Sequence, residues 1–342
     1  MTIRKALRSA LLGLTLTTLV QWIARRRRLM EPVAADLRSP ALWLPVNLGS
    51  DRGLKVARAL QGRAPHPPPV TGARVDTRTM PRRDGQQLRV LVHEPDARTR
   101  PSGALLWIHG GGMIMGVPEQ SNEVCSRLAR DLGIVVAAVD YRLAPEDPFP
   151  APLDDCMDAL RWLHEQAGAL DVDPARVAVG GDSAGGGLAA AVAQRALDEG
   201  GPALAFQALV YPMLDDRTVL RTDHQGRGDF LWTPKANAFG WTAYLGHPPR
   251  AADAPTYAAP ARRTDLGGLP PAWIGVGDLD LFYEEDLDYA RRLEAAGVPC
   301  QLEVVAGMYH GADHIAAEAA ATAAFRASLT AALRGAFEFS RQ

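Results

Sequence analysis

The segment Gly181-Asp182-Ser183-Ala184-Gly185 sets a serine between two glycines. It directly follows the apolar run Val177–Val179 and directly precedes the alanine-rich stretch Ala184–Asp198. A strand that turns sharply into a helix lifts such a hydroxyl out of the sheet as a nucleophile. Glycines flank the serine because a side chain at either place would collide with neighbouring backbone. The helix N-terminus beside Ser183 also favours developing negative charge. A phosphate cradle begins in a similar way, but no lysine follows as a Walker loop requires.

A second glycine cluster, His109-Gly110-Gly111-Gly112, follows the short apolar run Ala104–Ile108. Three glycines after a strand leave amides free to point into a cavity. Attack on an acyl carbon creates an oxyanion that needs such donors, each worth on the order of 3 kcal/mol. Gly110 and Gly111 are read as donors, with the amide of Ala184 as the third. His109 is read as orienting this loop and not as a base.

A nucleophilic serine needs a base, and the base needs a carboxylate to orient it. The chain order serine, acid, histidine directs attention past Ser183. There His310 lies in Gly307-Met308-Tyr309-His310-Gly311, just after the run Gln301–Val305. Loops at the C-terminal ends of strands are where α/β sheets place active residues. His314, one helical turn further on, is read as a surface or supporting residue. For the acid, Asp280 and Asp278 compete in Gly277-Asp278-Leu279-Asp280, after the run Ala272–Val276. Asp182 is read as a structural hydrogen-bonding residue beside the serine.

These groups need a scaffold, and the chain alternates strand and helix signals from Val75 onward. Val75–Met80 and Leu88–His93 form an antiparallel pair around Asp84-Gly85, a turn signal. Ile134–Asp140 is apolar until its last residue, as a strand covered on both faces should be. Helices are expected over Glu123–Leu132, Leu153–Ala167, Ala184–Asp198, Glu285–Ala296 and Ile315–Arg334, and further strands at Val177–Val179, Ala208–Tyr211, Ala272–Val276 and Gln301–Val305. Alternation of this kind predicts a mostly parallel sheet of eight strands flanked by helices, an α/β fold. Leu214–Gly246 breaks the rhythm and carries Phe230, Trp232, Phe239, Trp241 and Tyr244. It is expected to be an insertion that covers the pocket.

The chain has 342 residues, 47% hydrophobic and 22% charged, with a formal net charge of -2. Such a balance carries no general pull toward nucleic acid. Cys125, Cys156 and Cys300 are too few and too scattered for a disulfide framework or a metal site, and are read as small core residues. No cofactor is expected. A cytoplasmic location is expected, with membrane association left open by the N-terminus. There the apolar run Ala10–Val20 lies between Arg4, Lys5 and Arg8 and the run Arg25–Arg28. The run is well short of the ~20 residues of a membrane span, and no small-residue cleavage site follows. Two readings stay open: a cap helix packed on the enzyme, or an interfacial helix touching anionic lipid. Ala64–Val70 is a proline-rich linker. It divides an N-terminal helical portion, residues 1–70, from a catalytic portion, residues 71–335, with the insertion at about 214–246.

His109–Gly112, Gly181–Gly186 and the stretch Asp140-Tyr141-Arg142-Leu143-Ala144-Pro145-Glu146, running on to Asp155, occur in this order. Together they resemble the hormone-sensitive-lipase-like esterases of the α/β-hydrolase fold over roughly residues 70–335. The resemblance implies a helical cap built from the N-terminal helices and the insertion, and a triad at Ser183, Asp280 and His310. It implies hydrolysis of small-molecule esters with acyl chains from acetyl to octanoyl. A membrane-surface lipase, an amide deacetylase and a non-catalytic receptor are the alternatives, and a homodimer stays open. Some positions depart from the family: Asp280-Leu281-Phe282 stands for Asp-Pro-Leu, Gly187 for asparagine, and Met113 and Ala312 replace rings. Met113 is read as a substrate-binding residue. Asp140, Arg142 and Glu146 are read as a buried ion-pair network that anchors a loop.

Overall fold

The computed structural model describes residues 18, 20–44 and 48–339, so the apolar run Ala10–Val20 lies almost wholly outside the described residues. An N-terminal helix, α1, covers residues 20–30. Single 3-10 turns follow at Ala35–Leu37 and Pro40–Trp43, then helix α2 at Asp51–Gln61, capped by the Ser50 hydroxyl on the Gly53 amide. The sheet begins with β1 (Ala73–Pro81) and β2 (Gln87–Pro95), an antiparallel pair closing at Pro81↔Gln87. The chain continues through β3 (Ser102–Ile108), α3 (Asn122–Leu132), β4 (Val135–Val139), α4 (Ala151–Glu165), β5 (Val172–Asp182) and α5 (Ala184–Asp198). It ends with β6 (Phe206–Val210), α6 (Pro234–Leu245), β7 (Ala272–Gly277), α7 (Tyr283–Ala295), β8 (Cys300–Val305), α8 (Ala312–Ile315) and α9 (Ala320–Phe339).

The eight strands run in the order β1-β2-β4-β3-β5-β6-β7-β8. Only β2 runs against its neighbours; every other pairing is parallel. The strands at the centre are apolar on both faces because helices cover both. Along β3, Ala104, Leu106 and Ile108 join one core, whereas Leu105 and Trp107 join the other. In β4 the split is Val135, Ala137 and Val139 against Val136 and Ala138, the period of two that a pleat imposes. The first core is shared with α4, α5 and α7, and the second with α3 and α9.

Two elements differ from the sequence reading. Strand β5 extends to Asp182 through Gly180 and Gly181, which pair with β3 and β6 on both sides. Glycine there is not a turn signal: a Cβ at Gly180 would stand 2.9 Å from the Ala208 carbonyl oxygen, so close packing requires it. The expected helix Ile315–Arg334 is two helices. Propensity favours continuity through this alanine-rich stretch, but tertiary contacts break it. Ala321 donates its amide to the Asp36 carboxylate at 3.0 Å, and the Thr322 hydroxyl donates to the Ala316 carbonyl at 2.8 Å. Asp36 thus caps α9 from a distant part of the chain.

The N-terminal portion is locked onto the sheet rather than tethered beside it. Val33, Leu37 and Leu42 are buried in the second core. On the opposite flank, Arg58 of α2 donates to the carbonyls of Ile114 and Ala144, both at 2.8 Å, and to Glu146. The expected network of Asp140, Arg142 and Glu146 is not one network. Asp140 pairs with Arg89, Arg142 with Asp155, and Glu146 with Arg58. Glu146 is largely exposed, and only Asp155 is fully buried.

Arg58 therefore separates an exposed ion pair from two bonds to buried carbonyls. Glu146→Gln should cost less than about 1 kcal/mol. Arg58→Ala, which strips the Ile114 and Ala144 carbonyls, should cost about 1–3 kcal/mol. Chemical denaturation of both variants checks this, and equal losses would mean that the ion pair carries the anchor.

Candidate active site

Strands β3, β5, β7 and β8 end on one edge of the sheet, and the loops that follow them carry His109–Gly112, Ser183, Asp280 and His310. At the end of β5, Ser183 adopts φ 56° and ψ −120°. Its amide donates to the Val210 carbonyl at 2.8 Å, and its own carbonyl accepts from Gly187 and Met213. Bonds on both sides hold this strained conformation. A Cβ at Gly181 would stand 2.4 Å from the Ile108 carbonyl oxygen, and one at Gly185 would stand 2.0 Å from it. Only glycine lets the first turn of α5 cross the end of β3 this closely.

The structure brings Ser183, His310 and Asp280 together. His310 Nε2 lies 2.9 Å from Ser183 Oγ, and His310 Nδ1 lies 2.7 Å from Asp280 Oδ2. Asp280 is fully buried, while Ser183 and His310 are 5% and 7% exposed. The other oxygen of Asp280 accepts the amide of Phe282 at 2.9 Å. Asp278 has a different partner: it accepts the amide of Gly307 at 2.7 Å and so pins the loop that carries His310. The ring of His310 rests edge-on against Tyr211 and Phe282, at centroid distances of 4.8 and 5.2 Å.

The same loop is held from the N-terminal side. Ala34 donates its amide to the Gly307 carbonyl, and the Tyr309 hydroxyl donates to the Leu37 carbonyl. Gly307 has φ 69°, and a Cβ on it would press within 2.5 Å of the Ala34 nitrogen. Sequence reading assigned no role to residues 33–37, because nothing local in them marks a contact some 270 residues away.

Among the glycines after β3, Gly110 is a correction. Its amide donates to Asp182 Oδ1 at 3.2 Å, so it is already engaged. The amides of Gly111, Gly112 and Ala184 have no partner among the described residues, and Gly111 and Gly112 line the cavity with Ser183. The sequence could not distinguish the three glycines, since all lack a side chain. His109 is buried, stacks on Tyr141 at 4.3 Å and directs Nδ1 to the Gly110 carbonyl at 2.8 Å. Burial pushes its pKa down, so the neutral ring orients the loop.

A cavity of about 510 Å³ opens above Ser183. Its walls include Leu48, Met115, Leu231, Trp232, Phe325 and Leu329. Met113 is not on them: it is 1% exposed, part of the first core, at φ 62°. The tight turn after Gly112 swings the next side chain inward and leaves Met115 to face the cavity. Of the aromatic residues in the insertion, Trp232 lines the cavity, whereas Trp241 and Tyr244 are buried in the core. A Cβ at Gly112 would stand 2.0 Å from the Trp232 ring, so that ring lies directly on the glycine loop.

Three acidic groups and one histidine surround these parts. Asp182 uses its second oxygen toward His314 Nε2, at 3.6 Å. His314 opens onto the cavity. The nearby carboxylates, Asp313 first and then Asp182, push its pKa up to about 9. Glu285 is buried and accepts the amides of Leu214 and Asp215, pinning the start of the insertion. Its neighbour Asp286 is buried with neither oxygen bonded among the described residues. Burial, then Glu285 and Asp280, hold the Asp286 carboxyl well above its ordinary range.

Asp280→Asn should lower kcat by about 10⁴-fold, since a wrongly held imidazole cannot take the serine proton. Asp278→Asn keeps an oxygen for Gly307 and should lose less than tenfold (about 1.4 kcal/mol). Ester kinetics on both variants decide it, and equal losses would refute the pairing. His314 binds its proton more tightly folded than unfolded, so its contribution is full below pH 6.5 and disappears as pH rises through about 9. The Tm difference between wild type and His314→Gln should therefore be largest near pH 6 and close above about pH 9. A gap that widens with pH would contradict it.

Residues 105–314 match a family of the α/β-hydrolase fold, a span that holds all four loops of the site. The chain is 36% identical over 270 residues to the carboxylesterase NlhH of Mycobacterium tuberculosis, covering 78% of this chain and 84% of that one. It is 34% identical over 254 residues to an ethyl acetate hydrolase of Pseudomonas putida, covering 73% and 78%. A solved bacterial heroin esterase superposes with a TM-score of 0.82 at 37% identity, covering 90% of this chain and 99% of that one. The eight-stranded sheet, the matched region and this company agree with the resemblance read from the three motifs: the chain belongs to the α/β-hydrolase family.

Proposed function

We propose that the protein is a carboxylesterase that cleaves small-molecule esters through an acyl-enzyme on Ser183. The observation that carries this reading is the unbroken chain from Ser183 through His310 to Asp280, at 2.9 and 2.7 Å, under a cavity of about 510 Å³. The names of its relatives, a carboxylesterase and an ethyl acetate hydrolase among them, support the same class of substrate.

Ser183 Oγ attacks the ester carbonyl carbon as its proton passes to His310 Nε2. Asp280 holds the tautomer with hydrogen on Nδ1 and stabilises the imidazolium that forms. The carbonyl oxygen becomes an oxyanion and accepts hydrogen bonds from the amides of Gly111, Gly112 and Ala184. Collapse expels the alcohol, which takes the proton from His310, and leaves the acyl group on Ser183. Water then gives a proton to His310 and attacks the acyl carbon. The acid departs, and the proton returns to Ser183.

Acyl chains gain about 0.8 kcal/mol for each buried CH₂ while the cavity lasts. The walls are predominantly apolar, and Met115 can adapt to irregular chains. The optimum is accordingly placed between butanoyl and octanoyl. With Met113 in the core, Met113→Phe would overpack the interior, so Met115→Phe is the variant that should shorten the preferred chain.

Ser183→Ala should remove at least about 10³-fold of turnover with folding intact, and should abolish labelling by a fluorophosphonate. Retained labelling or activity would refute the nucleophile. Across p-nitrophenyl esters, kcat/KM should peak between butanoyl and octanoyl. A rise that continues through palmitoyl would refute the enclosure argument.

A further inference from the structure

The acid and base charges of this chain are unevenly divided. Residues 20–63 hold nine Lys and Arg against three Asp and Glu, although the whole chain has a net charge of -2. The same stretch also holds exposed apolar bulk. Among the described residues, Val20, Trp22, Leu44, Val56 and Leu60 are 41–64% exposed, and few other large apolar side chains are.

The elements that carry these groups adjoin the lining of the cavity. Helix α2 turns Leu54, Arg58 and Gln61 inward and leaves Arg52, Lys55, Val56, Ala59 and Leu60 exposed. The residues on either side of α2 form the rim: Leu48 before it, and the exposed Pro65, His66 and Pro67 after it, all line the cavity. Helix α1 is held beside another part of the lining. Arg26 stacks on Phe230 at 4.7 Å and donates to the carbonyl of Asp229, next to the cavity residues Leu231 and Trp232. That leaves Val20, Trp22, Arg25, Arg27 and Arg28 on the outer face of α1.

We propose that this N-terminal face docks the enzyme on an anionic lipid surface, with the mouth of the cavity toward the lipid. Exposed apolar side chains flanked by cations are what an interfacial helix uses: the apolar groups enter the headgroup boundary and the cations meet lipid phosphates. The acidic remainder of the chain would be repelled from such a surface, which sets the orientation. The esters favoured by this geometry are apolar ones that partition into the bilayer and enter the cavity from it.

The test is flotation of the full chain with vesicles of phosphatidylcholine alone and of phosphatidylcholine with phosphatidylglycerol, read by the bound fraction. Binding is expected only to the anionic vesicles, and salt should weaken it. Arg27→Glu with Lys55→Glu should lower partitioning at least about tenfold, and Val56→Ser with Leu60→Ser should also lower it. Turnover of a water-soluble ester should stay at the wild-type level in both double variants. No binding by wild type, equal binding to both vesicles, or double variants that bind as wild type would each overturn the proposal. So would a dimer of the wild type that these variants dissolve while lipid binding is absent. Because flotation needs no catalysis, its failure is distinct from failure of the esterase reading.

Discussion

The crossing of α5 over the end of β3 is the contact on which the site depends. Gly181 and Gly185 both abut the Ile108 carbonyl, closer than any Cβ allows. That approach forces Ser183 into φ 56°, a conformation that costs of order 1–3 kcal/mol for a residue other than glycine. The ladder of β5 with β3 and β6 and the bonds from Gly187 and Met213 to the Ser183 carbonyl offset it. One close contact thus raises the hydroxyl toward His310, frees the first amide of α5, and brings Asp182 within reach of the glycine loop.

From that crossing the remaining parts can be traced outward. Asp182 links three of them: one oxygen takes the Gly110 amide and the other faces His314. Engaging Gly110 turns the following two amides toward the cavity. The loop of His310 is set by two different grips, Asp278 from the end of β7 and residues 34–37 from the N-terminal segment. The N-terminal portion is therefore part of the scaffold of the candidate site and not only a cover. Its inner side fixes the loop of His310, and its outer side carries cations and apolar groups.

Buried carboxyl groups are handled in two ways. Asp280, fully buried, meets both a histidine and an amide, and Glu285 meets two amides and a hydroxyl. The Asp286 carboxyl has no such partner among the described residues, and burial first, then Glu285 and Asp280, push its pKa up. A second ionised carboxylate there would compete with Asp280 for the imidazolium.

The order of elements, the nucleophile turn and the candidates for base and acid were legible in the sequence because each rests on local chemistry. Alternation on a pleat, glycines beside a serine, and a histidine after a strand are short-range patterns. The loop's own residues left Asp280 and Asp278 in competition and only the family resemblance pointed to Asp280, since two aspartates with one residue between them differ only in which way the folded loop turns them. The same is true of Gly110, whose amide is spent on a carboxylate 72 residues away, and of Met113, which a tight turn sends into the core in favour of Met115. The break before α9 was hidden for a related reason: an alanine-rich run favours continuous helix until Asp36 caps it from 285 residues away. What sequence determined by itself was the kind of chemistry and the elements that carry it. What tertiary structure decided was which donors remain free, because hydrogen-bond capacity is allotted only when distant segments meet.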